Sequence, residues 1–124
     1  MKNYILKIEG IKYLNSLLNK KVRDFYSYNK IINKILNIKT NIPIFIDRNT
    51  IFLPIKSYKA YDCIWLNYRE IKTIIGKSKT VLIRFNNDEI KEFEVSINKL
   101  NRIIKNAIKI IDYFEKIECE NVNT

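Results

Sequence analysis

Cys63, one of two thiols in this chain, is a candidate nucleophile, and it lies in the window "IFLPIKSYKAYDCIWLNYREI" (51–71). A thiol attacks as its thiolate, which at neutral pH needs a nearby cation or base. Lys59 and Arg69 are the closest cations in the window, but their spacing fixes neither beside the sulfur. The expectation is therefore a small buried hydrophobe next to Trp65, the only Trp of the chain. Asp88 and Glu89 are adjacent on a turn, so their carboxylates diverge and form no acid/base pair. The chain has no His, which removes the commonest general base. Its two Gly, Gly10 and Gly76, cannot build a phosphate-cradling loop. Cys63 and Cys119 form no CxxC pair, so neither a zinc ligand set nor a disulfide framework is visible. Two such cysteines suit a reducing cytoplasm. We expect no enzyme, no cofactor and no metal.

What the chain does carry is positive charge. Lys plus Arg number 23 against 13 acidic residues, for a net charge of +10. A small domain charged to that degree favours polyanions, either nucleic acid or an anionic surface. Lys, Asn and Ile are all abundant, as AT-rich codon usage alone would produce, but such drift should act everywhere. It does not: residues 1–80 hold 16 basic and 5 acidic side chains, whereas residues 81–124 hold 7 and 8. The asymmetry points to a patch.

These side chains need elements to hold them. A length of 124 residues with 47% hydrophobic content predicts a single globular domain with its own core. No apolar run is long enough to cross a membrane. The start, "MKNYILKIEG", has charges within its apolar run and reads as mature protein rather than a signal peptide. Residues 3–9 read as a short strand. Residues 11–25 read as a short helix, with Ile11, Leu14, Leu17, Leu18 and Val22 at helical spacing. The stretch 31–38, "IINKILNI", is compatible with helix or strand. Two apolar β-branched runs around "DRN" predict a hairpin, and Pro54 ends its strand or puts it at a sheet edge. "CIWLNYREIKTII" (63–75) alternates in part and then runs apolar. Strands at 80–85 and 90–95 flank the turn "NNDE" and make the clearest hairpin.

The last element is a helix. Ser96 is a good N-cap. After it Ile97, Leu100, Ile103, Ile104, Ala107, Ile108, Ile111 and Phe114 follow the helical period. The opposite side carries Asn98, Arg102, Lys105, Lys109 and Lys116. The fold class is α+β: an antiparallel β-sheet core closed by a C-terminal amphipathic helix, over residues 1–117, with 118–124 as a disordered tail.

The central window is also suggestive as a surface. Lys56, Tyr58, Lys59, Tyr61 and Arg69 interleave cations with rings, the composition of a stacking platform for single strands. An ordinary loop has the same composition, with Tyr rings covering the core and Lys stems lying along it. By composition alone the ordinary loop is preferred.

The order of residues is more specific than the composition. Pro54, Ser57, Asp62-Cys63 and Trp65 follow one another in a way that resembles the central signature of the competence transcription factor (ComK) family. "VLIRFNNDEIKEFEVSINKLNRIIKNA" (81–107) is similar to the family's strand, turn, strand, Ser and helix, with Ser96, Asn101, Lys105 and Ala107 on matching positions. "VRDFYSY" (22–28) and "IPIFIDRN" (42–49) are fainter echoes. The resemblance covers roughly residues 22–110. It implies a sequence-specific transcriptional regulator that binds paired AT-rich boxes in double-stranded DNA as a homodimer or higher oligomer. The approach would be largely through the minor groove, in the cytoplasm and with no membrane. In long members the tail serves oligomerisation and proteolysis through an adaptor and protease, and this chain resembles a short form. Narrow A-tract grooves concentrate negative potential and attract Arg and Lys, which fits the charge.

On this reading Trp65 and Cys63 anchor the core. Lys30, Lys34, Lys56, Lys59, Arg102, Lys105 and Lys109 contact phosphates, with Ser57 on the same face, and Arg23 and Arg69 enter the groove. Two rivals remain at this level. One is a LytTR-like DNA-binding domain, suggested by the strand hairpin, Ser-x-x-x-Leu and helix. The other is a non-enzymatic module that binds protein or RNA.

Overall fold

A computed structural model describes residues 5–6, 25–55 and 64–122. Among the described residues seven strands and two α-helices run in the order β1 (Ile5–Leu6), α1 (Phe25–Leu36), β2 (Ile44–Asp47), β3 (Thr50–Pro54) and β4 (Trp65–Asn67). They continue through a 3-10 turn (Tyr68–Glu70) to β5 (Ile71–Gly76), β6 (Val81–Phe85), β7 (Ile90–Phe93) and α2 (Ile97–Val122). The strands make two antiparallel sheets, β1-β4-β3-β2 and β5-β6-β7. The arrangement is α+β, as the sequence predicts.

The ambiguous stretch 31–38 belongs to α1, which begins earlier, at Phe25. Tyr28 and Ile32 bury one helix face and Leu36 continues it, residues four apart lying one above the other on successive turns. Asn37 closes the helix in a left-handed conformation (φ 56°), and its N–H reaches the Asn33 carbonyl at 3.0 Å. The helix expected over 11–25 falls almost wholly outside the described residues.

The β2–β3 hairpin turns through Arg48 and Asn49, with Asp47 Oδ1 accepting the Asn49 N–H at 2.8 Å. Strand β3 is the middle of its sheet. Ile51, Phe52, Leu53, Pro54 and Ile55 are all buried, so both of its faces are covered. It ends at Pro54, which has no N–H to give the ladder, and the next residue, Ile55, donates to the Ile64 carbonyl at 3.0 Å. The run read as one segment from 63 to 75 is two strands in different sheets. The buried Asn67 separates them: its side-chain oxygen accepts from Arg69 N at 3.2 Å, turning the chain, and from Ile51 N at 3.3 Å.

The second sheet is one-sided. Val81, Ile83 and Phe85 of β6 point into the core, while Ile75 and Ile90 are 60% and 61% exposed on the strands either side. Gly76, at its margin, lies against the first turn of α2; a Cβ there would sit 2.9 Å from Ile97 Cβ.

Helix α2 starts where Ser96 predicts. Ser96 Oγ accepts Lys99 N at 3.1 Å, and its carbonyl accepts Leu100 N at 3.0 Å. The helix packs on β2 and β3. Its buried stripe is Leu100, Ile103, Ala107, Ile110 and Ile111. Relative to the sequence expectation the stripe is rotated: Ile110 is fully buried and Ile108 is 51% exposed. The helix spans Ile97–Val122. Phe114 stacks on Phe45 with ring centroids 4.7 Å apart and on Tyr28 at 6.2 Å, which joins α2 to β2 and α1. Trp65 lies fully buried in the same core. Among the described residues no helix is long and apolar enough to cross a membrane.

Candidate nucleic-acid interface

The β2–β3 hairpin has a cationic group at each end. Strand β3, from Thr50 to Pro54, sets their separation at ~13 Å or more, from a rise of ~3.3 Å per residue.

At the turn end, Arg69 Nε donates to the Arg48 carbonyl at 3.1 Å. Its guanidinium lies 5.9 Å from the centroid of the Tyr68 ring. The β6–β7 turn joins this end, because Asn86 Nδ2 donates to the Arg69 carbonyl at 3.0 Å. Close by, Asp88 takes ion pairs from Lys72 at 3.3 Å and from Arg84 at 3.1 Å. The hydrogen bond and charge of Lys72, and then the charge of Arg84, hold the Asp88 carboxyl below its ordinary value. Asp88 also adopts φ 68°, a left-handed conformation that Asp tolerates better than most residues.

At the open end, Asn41 Nδ2 donates to the Pro54 carbonyl at 3.3 Å. Asn41 has φ 48° and belongs to the segment that leads from α1 into β2. A cavity of about 130 Å³ opens here, lined by Thr40, Asn41, Lys99, Arg102, Ile103 and Asn106. Lys99, Arg102 and Asn106 share one side of α2 because they are three and four residues apart. No carboxylate lines the cavity. The same side of the helix continues outward through the exposed Lys105 and Lys109. None of Lys99, Arg102, Lys105 and Lys109 has an acidic partner among the described residues. Further along, Lys116 is paired with Asp112 at 3.3 Å.

The segment between α1 and β2 is anchored by Tyr28. Its hydroxyl donates to the Pro43 carbonyl at 2.7 Å and accepts Phe45 N at 3.0 Å. Burial pushes this phenol well above its ordinary pKa, against the opposing pull of the Phe45 N–H.

The sequence-predicted residues therefore separate. Arg102, Lys105 and Lys109 lie together on α2. Arg69 stands at the other end of the hairpin. Lys30 and Lys34 are exposed one turn apart on α1, and Lys34 occupies the last turn, where a cation also suits the helix dipole. Arg23, Lys56, Ser57 and Lys59 lie outside the described residues, and so does Cys63. Sequence reasoning missed Lys99, Thr40, Asn41 and Asn106 at the open end and Arg48 at the turn. The 99/102/106 spacing was a usable signal for Lys99 and Asn106. Thr40 and Asn41 reach the helix only through the tertiary fold. Among the described residues no cluster of three or more Cys, Asp or Glu is placed to hold a metal ion.

Comparison with known proteins gives one family. The model described as ComK protein matches residues 3–118. No curated protein and no solved structure matches the chain.

Proposed function

This chain belongs to the ComK family, a family of competence transcription factors, and on that premise we propose that it is a sequence-selective regulator binding AT-rich boxes in double-stranded DNA. The observation that carries the proposal is the cationic side of α2, where Lys99, Arg102, Lys105 and Lys109 have no acidic partner among the described residues. Lysines and arginines left unpaired on one helix side are suited to phosphates, which position a protein without reading sequence. Selectivity would then come from groove width and box spacing, since the minor groove distinguishes A·T from G·C but little more. Arg69, exposed beside the hairpin turn, is the arginine we assign to a narrow groove, together with Arg23. Lys30, Lys34, Lys56, Ser57 and Lys59 complete the proposed backbone contacts. Paired boxes call for at least two copies of the chain acting together in the cytoplasm, and control through an adaptor and protease follows the family.

Fluorescence anisotropy with two labelled duplexes tests the proposal. One carries two A/T boxes on one helical face, and the other is a G·C-rich scramble of equal length. Tighter binding to the boxes that persists from low to near-physiological salt is the expected result. Equal binding to both, lost together as salt rises, would leave only non-specific attraction to a polyanion.

A further inference from the structure

We infer that the cavity between α2 and the α1–β2 segment is a seat for one phosphate group, and that its occupant is a backbone phosphate of the DNA. The inference rests on the DNA-binding reading above and adds to it a specific anchoring point.

Four side chains bring hydrogen-bond donors to the cavity: the Lys99 ammonium, the Arg102 guanidinium, the Asn106 amide and the Thr40 hydroxyl. None of the four makes a side-chain hydrogen bond among the described residues. Two cations and two neutral donors with no acid beside them are complementary to an oxyanion, and a phosphate group can accept from several of them at once. At about 130 Å³ the cavity exceeds the ~30 Å³ share of one water, so an anion and a residual water both fit. The wall opposite the helix is fixed. Asn41 is tied to the Pro54 carbonyl, and the segment behind it is pinned by Tyr28 to Pro43 and Phe45. The donors on α2 are held by the helix's buried stripe, of which Ile103 also lines the cavity. A seat built on a helix and a pinned segment fixes one phosphate in place, whereas the exposed Lys105 and Lys109 attract the backbone diffusely.

The test uses the full chain and the box duplex. Lys99→Gln/Arg102→Gln should lose about tenfold in duplex affinity near physiological salt. Its salt slope should fall by about one to two, with the preference for boxes over scramble kept, because a phosphate contact carries no sequence information. Lys116→Gln, a charge change outside the cavity, should leave the affinity within about twofold. A second measurement avoids altering the protein: single neutral methylphosphonate linkages are scanned along the duplex with the unmodified chain. Affinity should drop sharply at one position per bound copy, and that drop should vanish in the double variant. If the unmodified chain binds the box duplex while the double variant matches it in affinity and slope, the cavity is not a phosphate seat although the DNA reading stands. If no salt-resistant duplex binding exists, the DNA reading itself fails. In that case a shift of the Asn41 and Asn106 side-chain amide NMR signals with inorganic phosphate alone would assign the cavity to a free anion and overturn its assignment to DNA.

Discussion

The two ends of the β2–β3 hairpin carry similar charge and use it differently. At the turn end Arg69 is bonded to the Arg48 carbonyl, and Lys72 and Arg84 share Asp88. At the open end Lys99 and Arg102 face a cavity with no carboxylate. Composition cannot tell these ends apart, since each is simply basic. The difference is in the acids. Asp88 lies on a turn that meets the first group, whereas the acids of α2, such as the Asp112 paired to Lys116, lie beyond the second. Charge satisfied within the fold holds strands and turns in register. Charge left over is available to a partner.

This contrast can be broken or sharpened experimentally. The largest effect should come from Trp65→Ala, which empties a fully buried site opposite Pro54. We expect a loss of ~3–5 kcal/mol in urea unfolding, with both ends of the hairpin disturbed. Asn67→Ala should act on the turn end alone, because it strips an acceptor from Ile51 N and Arg69 N. The expected cost is ~1–3 kcal/mol, with the amide signals of the open end unshifted. Gly76→Ala should cost a similar ~1–3 kcal/mol, because the new methyl meets the Cβ of Ile97 rather than a flexible side-chain tip. Lys105→Gln/Lys109→Gln should stay within ~0.5 kcal/mol of the parent in stability, yet lower the salt slope of duplex binding. An unchanged slope would mean that the outer part of the α2 side does not meet phosphates.

The smallest effect concerns pH. The folded-state pKa of Asp88 is depressed, so its contribution to stability is present above the ordinary carboxylate value and is lost as pH falls through the lowered folded value. Asp88→Asn should therefore lower the neutral plateau slightly and flatten the acid limb of a stability-versus-pH curve, the two proteins converging at low pH. Tyr28 has the opposite sign. Its raised phenol favours the fold below about pH 10, and that contribution falls away as alkali rises from there through the higher folded value.

Much of this architecture was legible in the sequence where local signals agreed. The hairpins at 44–54 and 81–93 announced themselves through β-branched runs around polar turns, and Ser96 marked the start of α2. The register of α2 was harder, because Ile97, Ile103, Ile104, Ile108, Ile110 and Ile111 spread around more than one side. Packing on β2 and β3 decides that Ile110 turns in and Ile108 out. The split of 63–75 into two sheets was hidden because a buried Asn67 looks, in sequence, like a polar residue on an exposed strand. Only its two backbone partners reveal it as a turn-former. The functional site divides in the same way. Arg102, Lys105 and Lys109 follow from helical period. The cavity does not, since Thr40 and Asn41 meet the helix across more than fifty residues of chain.

The burial of Trp65 also has an optical consequence. Because it is the only indole of the chain, emission excited at the red edge of absorption, where the eight tyrosines do not absorb, has a single source buried in the core. In the native state that emission should be blue-shifted and shielded from iodide. On unfolding it should move to the red in one step. A dye on the nucleic acid would meanwhile report association in a separate colour, so that loss of structure and loss of binding can be followed in one cuvette without being confused.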